Sequence, residues 1–274
     1  MESVHASAES KTMVVALQDT DAAHNKMLFD LALNAGVILM ENGAETYRVE
    51  DTVERILRLS ENRGLDVIAL LTGLYVTLTL NDSTCLTAVR RIKNRTFRLD
   101  RIRDVNTISR RLAKKELSIE EAYDTLEKLA HNHDPIRFSR VYHAIAAAGF
   151  ALMSGANLME SLFAGFAASS IILTNKLVRN RLGGSFVPSF LQTFVMIFVL
   201  GVLARFFPML RLDRMAVGAL ISLFPGTTLT NGIRDTMRGD YLTGVGNLLA
   251  AIISSMALAV GTFFALALTG GFFL

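Results

Sequence analysis

The chain has 274 residues, a formal net charge of +3, no tryptophan and a single cysteine, Cys85. One cysteine excludes an intrachain disulfide and a cluster of thiolate metal ligands. The mean hydropathy of +0.38 hides an asymmetry: residues 1–140 hold 20 of the 28 lysines and arginines and 21 of the 25 aspartates and glutamates. This distribution is typical of a soluble first half and a membrane-embedded second half.

The first half predicts a flexible N-terminus over residues 1–20 and a cytoplasmic α+β domain over residues 21–135. Residues 1–11 are polar and lack the basic-then-apolar order of a signal peptide. Apolar residues at helical spacing predict one helix from about Asp21 that Gly43 closes, and a second helix that starts near Glu45.

The remainder of this domain is predicted to contain a hairpin and two more helices. The β-rich runs 67–80 and 85–92 are joined by the turn residues 81–83, which favours a β-hairpin. Residues 98–115 return to helical spacing, and the capping-box pattern that begins at Ser118 predicts a last helix to about residue 130.

Two features of the soluble half could suggest binding functions, and both have simpler explanations. Eleven basic residues lie between Arg90 and Lys115, but aromatic residues barely interleave with them. A cytoplasmic face near anionic lipid explains them better than nucleic acid does. Residues 131–134, His-Asn-His-Asp, lack further metal-ligand types at suitable spacing and favour a solvated turn. No nucleophile elbow, phosphate loop or metalloprotease motif occurs, so we expect no enzyme, no metal and no cofactor.

The second half predicts a membrane domain over residues 136–274 with five transmembrane helices. A spanning helix needs about 20 apolar residues. The second span must begin near Asn157 and carry Glu160 in its first turn, and the fifth is expected to end at Gly270. The uncharged stretches behind this count are 141–159, 161–175, 182–204, 215–233 and 241–274.

The basic loops predict the orientation. With the N-terminal domain in the cytoplasm, the loops around residues 176–181 and 234–238 face inward, and an odd number of spans places the C-terminus outside. The turn 154–157 and the loop 205–214 then face outward. The predicted location is the cell (inner) membrane, with the lipid bilayer as the surroundings of the spans.

The fourth span carries the most informative pattern, a break at Pro225-Gly226. Proline lacks the backbone N–H and clashes with the preceding turn. In a bilayer, broken backbone survives only where protein or a water-filled cavity satisfies its polar groups. The break is followed by polar residues, which predicts a small binding site at the N-terminus of a half-helix. These residues are Thr227, Thr228, Thr230, Asn231 and Asp235.

A kinked helix whose hydroxyls bond back to their own carbonyls is the alternative. Ionisable groups at membrane depth cost several kcal/mol unless they have a partner or water. Asp235 is the first candidate for proton coupling or for contact with a cationic substrate group, and Glu160 is the second, although either could lie at an interface. Asn247 on the next span, and Asn157, could line the same cavity.

The order of parts resembles the threonine/serine exporter (ThrE) family, and within it the larger component of the split form. The resemblance rests on residues 43–50, Gly-Ala-Glu-Thr-Tyr-Arg-Val-Glu, on five spans, and on Phe224-Pro225-Gly226 followed by Asn231 and Asp235. It covers roughly residues 25–270. The family motif is carried by Pro225, Gly226, Asn231 and Asp235.

This resemblance implies export of small amino acids or of dicarboxylates such as succinate, driven by the ion gradient. The pattern of the broken span, and not the resemblance, extends the predicted substrate-binding residues beyond this motif to Thr227, Thr228, Thr230 and Asn247, and proton coupling is predicted at Asp235 and Glu160. A fused family member continues into a second membrane half, so a smaller membrane subunit of the same family is the expected partner; a homo-oligomer stays open.

Two other classes of function are the alternatives. A membrane-anchored scaffold or regulatory protein would act through its soluble domain, but an anchor needs neither a Pro-Gly break nor Asn and Asp at depth. A membrane-embedded hydrolase would need a nucleophile with a base, and only His143 is available as an intramembrane histidine.

Overall fold

The structure, a computed structural model, describes residues 23–60, 62–93, 95–131, 139–170 and 186–270. The chain divides into two compact units between Asp134 and Pro135. The predicted flexible N-terminus, the end of the 131–134 turn and the basic loop at 176–181 lie outside the described residues.

The first unit opens with two helices, α1 over residues 23–41 and α2 over Thr46–Leu57. Gly43 has a φ of +83° between them, which confirms that it closes the first helix. The apolar stripes of both helices are buried in one core, among them Leu31, Leu39, Val53 and Ile56.

The sheet has three antiparallel strands in the order β1–β2–β3, where β1 is Asn62–Leu70, β2 is Gly73–Leu80 and β3 is Cys85–Arg91. The turn at residues 81–84 joins β2 to β3 as predicted, with Asp82 accepting from the Thr84 N–H at 2.8 Å. The prediction of one β-rich run over 67–80 was wrong, because the chain reverses at residues 71 and 72. That tight turn lacks the Asn-Gly or Asp-Gly pair that marks such hairpins.

Two further helices complete this unit, α3 over Leu99–Ala113 and α4 over Ile119–His131. The predicted capping box of α4 is present: the Ser118 hydroxyl accepts from the Glu121 N–H at 3.2 Å, and the Glu121 carboxylate accepts from the Ser118 N–H at 3.1 Å. Local sequence thus determines where this helix begins.

The described residues of the second unit form helices that are joined by short turns. Its helices are α5, Ser139–Met153; α6, Leu158–Ala168; α7, Phe186–Phe206; α8, Leu212–Ile221; α9, Gly226–Arg238; and α10, Tyr241–Thr269. Helix α5 stops at Met153, and the turn predicted over residues 154–157 precedes α6, which begins at Leu158. Gly270, with a φ of +68°, ends α10 as predicted.

By length and apolar composition, α7 and α10 are able to cross a membrane, and α8 with α9 forms a third candidate span bent by 52°. The described parts of α5 and α6 are apolar but shorter than a span. The protein is therefore a mostly helical membrane protein with a small three-stranded sheet, and five spans stays a prediction.

The two halves of the bent pair pack against different helices. Helix α8 packs on α5, α6 and α7, whereas α9 packs on α10. Helix α10 in turn packs along α7. The break thus lies where the chain passes from one group of helices to another.

Candidate functional site

The helix break lies at residues 222–225, as the proline predicts. Pro225 is the N-cap of α9, and the first helical hydrogen bond of α9 runs from the Leu229 N–H to the Pro225 carbonyl at 3.0 Å. The N–H groups of Thr227 and Thr228 therefore lie ahead of the helical ladder. Together with the partial positive charge of a helix N-terminus, these groups can accept an anion.

Helix α9 has two faces with different surroundings. Asp235 is buried against α10, and the half-buried Thr228 lies on the same face two turns earlier. A second, open face, roughly a quarter of a turn from Asp235, carries exposed polar residues. These are Thr227, Thr230, Arg234 and Arg238. Asn231 is half-buried between the two faces.

The predicted polar residues are thus divided between two faces of α9. The Thr230 hydroxyl donates to the Gly226 carbonyl at 2.9 Å. Thr230 therefore follows the alternative interpretation, in which the hydroxyl bonds back to a carbonyl of its own helix.

Asp235 and Asn247 form a buried polar pair between α9 and α10. Asp235 is 1% exposed and Asn247 is 4% exposed. The Asn247 Nδ2 donates to Asp235 Oδ2 at 3.0 Å. The structure therefore brings together the aspartate and the asparagine that sequence reasoning placed in one cavity.

Two glycines allow α9 and α10 to approach closely beside this pair. A Cβ on Gly232 would lie 2.9 Å from the Leu248 nitrogen, and a Cβ on Gly244 would lie 2.8 Å from the Thr236 nitrogen. Neither side has space for a side chain. Small residues at such crossings are typical of helix pairs in membranes.

Glu160 belongs to a second cluster, at the other end of the bent pair. It is 1% exposed and completes a capping box at the start of α6, with Oε2 accepting from the Asn157 N–H at 2.7 Å. Its other oxygen, Oε1, accepts from the backbone N–H of Arg211, the residue before α8, at 2.9 Å. Helices α8 and α9 rise about 15 and 20 Å between this cluster and the end of α9.

The carboxylate of Glu160 therefore joins the N-termini of two helices. The Arg214 guanidinium donates to the Gly155 carbonyl in the same region, which ties α8 to the α5–α6 turn a second time. These contacts favour a helix-capping role for Glu160 over proton coupling. Asn157 caps α6 in this cluster, through a 2.8 Å bond from the Glu160 N–H.

Sequence reasoning named Thr227 and Thr230 on the open face of α9 but assigned Arg234 and Arg238 only to an inward-facing loop. A groove of about 440 Å³ lies on this face, lined by Thr230, Ile233, Arg234, Met237 and Arg238. The three- and four-residue spacing of the polar residues was a signal that could have shown it. No group of three potential metal-ligating side chains occurs in the part of the chain that the structure describes.

An interrupted span and a buried carboxylate at a helix-packing face are features that also occur in secondary transporters. Residues 30–269 match the family model described as "Putative threonine/serine exporter" (ThrE). The chain belongs to this family.

The chain covers different shares of two relatives. The chain is 23% identical over 257 residues to the "Probable succinate transporter subunit YjjP" of Klebsiella aerogenes, covering 91% of this chain and 97% of that one. It is 22% identical over 252 residues to the "Probable threonine/serine exporter" of Mycobacterium tuberculosis, covering 88% of this chain but only 46% of that one. No solved structure matches the chain.

Proposed function

We propose that this chain is the larger subunit of a secondary exporter of small carboxylate-bearing metabolites, either threonine and serine or a dicarboxylate such as succinate. The observation that carries the proposal is the bent α8–α9 pair, whose second half packs the buried Asp235–Asn247 pair against α10. The membership of the family and the printed names of both relatives support the same class of substrate.

In this proposal the substrate carboxylate binds at the start of α9. The backbone N–H groups of Thr227 and Thr228 meet the carboxylate, and the two hydroxyls add hydrogen bonds. Pro225 and Gly226 create the break that exposes these groups, and Thr230 and Asn231 lie one turn further along the substrate path.

Asp235 then acts on a proton and not on the substrate. Thr228 and Asp235 are seven residues apart, which corresponds to a rise of about 10 Å along the helix. A four-carbon substrate held by the N-terminus of α9 does not reach that far. A dicarboxylate would in addition be repelled by an ionised Asp235.

The bond to Asn247 suits a carboxyl group that changes its protonation state. A side-chain amide has both a donor and an acceptor, so rotation lets Asn247 bond to the carboxylate or to the protonated acid. Because the pair lies beside the close approach of α9 and α10 at Gly232 and Gly244, a change in this bond alters the packing of the two helices. That change is the proposed link between proton movement and alternating access.

A smaller membrane subunit would complete the pathway. The Klebsiella aerogenes relative is called a subunit and is covered almost fully, whereas the longer Mycobacterium tuberculosis relative is covered over less than half of its length. We place five spans in this chain, the N-terminal unit in the cytoplasm, the C-terminus outside, and no enzymatic activity.

The first test is efflux of preloaded succinate or threonine from cells that co-express the smaller subunit. Asp235→Asn removes the titratable group but keeps the size, so we expect efflux to lose its dependence on external pH and to fall at least about tenfold. Thr228→Val should raise KM with less effect on kcat, because it removes one hydroxyl from the binding site.

The control is Thr125→Val, in which a threonine with a back-bonded hydroxyl is replaced on α4 of the first unit. Wild-type efflux from both variants, at normal membrane abundance, would contradict the assignment of the site. The proposal does not require that a chain lacking the first unit still exports the substrate.

A further inference from the structure

The three-stranded sheet of the first unit has a core face and an exposed outer face. Leu74 and Val76 of β2 are buried in the core, and successive residues of a strand alternate between the two faces. On the outer face Ile68, Tyr75 and Val89 lie side by side, because Ile68 pairs with Tyr75 and Tyr75 pairs with Val89. These three residues, which we call the apolar row, are 54%, 42% and 57% exposed. An exposed row of this kind in a soluble unit indicates a contact surface.

Positive charge follows the apolar row at one end of the sheet. Arg91 comes two residues after Val89 and lies on the same face, and Lys93 follows at the same spacing. Both side chains are exposed. The Ile92 N–H donates to the Thr72 carbonyl at 2.9 Å, which places this basic end of β3 beside the turn between β1 and β2.

The other end of the outer face is polar. The row next to the apolar row consists of Asp66, Thr77 and Thr87, and the two threonine hydroxyls are 3.2 Å apart and share a hydrogen bond. The next pair is Thr79 and Cys85. The outer face is therefore amphipathic along the strands. An aromatic and two aliphatic side chains beside basic residues are the composition of a surface that meets the interface of a membrane with water.

The structure separates this basic end from most of the eleven basic residues between Arg90 and Lys115. Five of the eleven have partners within the first unit, namely Arg95, Arg98, Arg101, Arg103 and Lys114. Arg110, Arg111 and Lys115 lie at the C-terminal end of α3, where positive charge is favourable. The two basic residues beside the apolar row have no hydrogen bond or ion pair with another described residue, and no helix end accounts for them.

A bilayer surface is close to this unit because of the chain itself. Helix α4 ends at His131 and α5 of the membrane unit begins at Ser139, so seven residues separate them. A segment of this length spans at most roughly 30 Å when it is fully extended. A second copy packed face to face on the same row would instead bring the like charges of Arg91 and Lys93 together, which is unfavourable.

We propose that the apolar row, together with Arg91 and Lys93, docks the first unit on the surface of a bilayer that contains anionic phospholipid. The apolar row enters the boundary between headgroups and acyl chains, and the two basic residues bind the phosphate groups. A small apolar contact and a small basic patch together give a reversible attachment that neither gives alone. This inference does not depend on the proposed transport function.

The test places a fluorescent probe at the apolar row of the full chain. In a Cys85→Ser background, Val89→Cys is labelled with an environment-sensitive maleimide dye, and the chain is reconstituted in vesicles of phosphatidylcholine with or without phosphatidylglycerol. The matched control is the same dye on native Cys85, which lies on the same strand and face, about 13 Å away at the polar end. Both positions are exposed, so we expect the fold to be kept.

We expect phosphatidylglycerol to shift the emission of the Val89→Cys probe to shorter wavelength, and lipids brominated on their acyl chains to quench it. The probe on Cys85 should show neither effect. Arg91→Gln/Lys93→Gln should lower the ratio of docked to undocked units roughly fivefold for each lost charge. Salt at about 1 M should act in the same direction. Arg110→Gln/Arg111→Gln removes the same charge from α3 and should leave the signal unchanged.

Emission and quenching of the Val89→Cys probe that are the same in both kinds of vesicle would overturn the proposal. A shift without quenching by brominated lipid would assign the apolar row to a protein contact and would also refute docking on lipid. Growth of that shift with the ratio of protein to lipid would identify a second copy. Its loss on deletion of residues 1–20 would identify the N-terminal segment, and its appearance only after addition of the smaller subunit would identify that subunit.

Discussion

Two buried carboxylates in the membrane unit have different hydrogen-bond partners. Glu160 accepts from two backbone N–H groups, those of Asn157 and Arg211. Asp235 accepts from a side-chain amide. A backbone N–H group can only donate, whereas an amide side chain can rotate to present either its donor or its acceptor. This difference in partners is the reason that we propose proton coupling for Asp235 and a structural role for Glu160.

Replacement of Glu160 by glutamine tests this difference. A glutamine offers one acceptor oxygen and would turn its NH₂ group towards one of the two N–H donors. We expect Glu160→Gln to lower the free energy of unfolding by about 1–3 kcal/mol. Chemical denaturation of the purified chain measures the loss, and the pH profile of efflux should keep its shape.

Asp213→Asn is the control for Glu160. Asp213 is 64% exposed and forms an ion pair with Arg211 at 3.0 Å, so its replacement should cost less than about 1 kcal/mol. A Glu160→Gln variant of normal stability whose efflux no longer responds to pH would instead make Glu160 the proton carrier.

At the scale of the helices, the bent pair owes its shape to one local and one tertiary cause. Pro225 interrupts the hydrogen-bond ladder, which allows the direction to change by 52°. The close approach of α9 to α10 at Gly232 and Gly244 then holds the second half in place. We infer that this contact, and not the break alone, decides which face of α9 stays open.

A methyl group at Gly244 tests the role of the close approach. The added Cβ of Gly244→Ala would lie 2.8 Å from the backbone nitrogen of Thr236, which forces the helices apart. We expect a loss of about 1–3 kcal/mol in the free energy of unfolding and reduced efflux. Thermal unfolding of the purified chain measures the first effect.

Gly149→Ala on α5 provides the matched control for Gly244. No atom lies within 4 Å of the position that a Cβ on Gly149 would take, so this change should leave stability the same or slightly higher. Equal stability of the two variants would show that α9 and α10 are not in close contact at Gly244.

For the whole molecule, the single cysteine offers a direct test of orientation. Cys85 is exposed at the start of β3 in the first unit. If this unit is cytoplasmic, a membrane-impermeant maleimide should label Cys85 only after the cells are permeabilised. Labelling is measured by the mass shift of the full chain.

A second position tests the opposite side of the membrane. In a Cys85→Ser background, Ser154→Cys places a thiol in the exposed turn between α5 and α6, which we expect to be labelled in intact cells. Labelling of Cys85 in intact cells, or protection of Ser154→Cys there, would reverse the proposed orientation.

The features that local sequence determined are those whose cause lies within a few residues. The break before α9 follows from Pro225, the ends of α1 and α10 from Gly43 and Gly270, and the start of α4 from its capping box. The division into a charged and an apolar half indicated the class of protein. In each case a backbone restriction, a side-chain cap or a long apolar run acts without help from distant residues.

Only the tertiary structure decided how distant groups combine. The bond between Asn247 and Asp235 joins residues 12 apart, and the bond from the Arg211 N–H to Glu160 joins residues 51 apart. The choice of Asp235 for the buried face of α9, and of Arg234 for the open face, depends on the side from which α10 packs. Sequence spacing places residues on the same face of a helix, but only the neighbouring helices determine which face is covered.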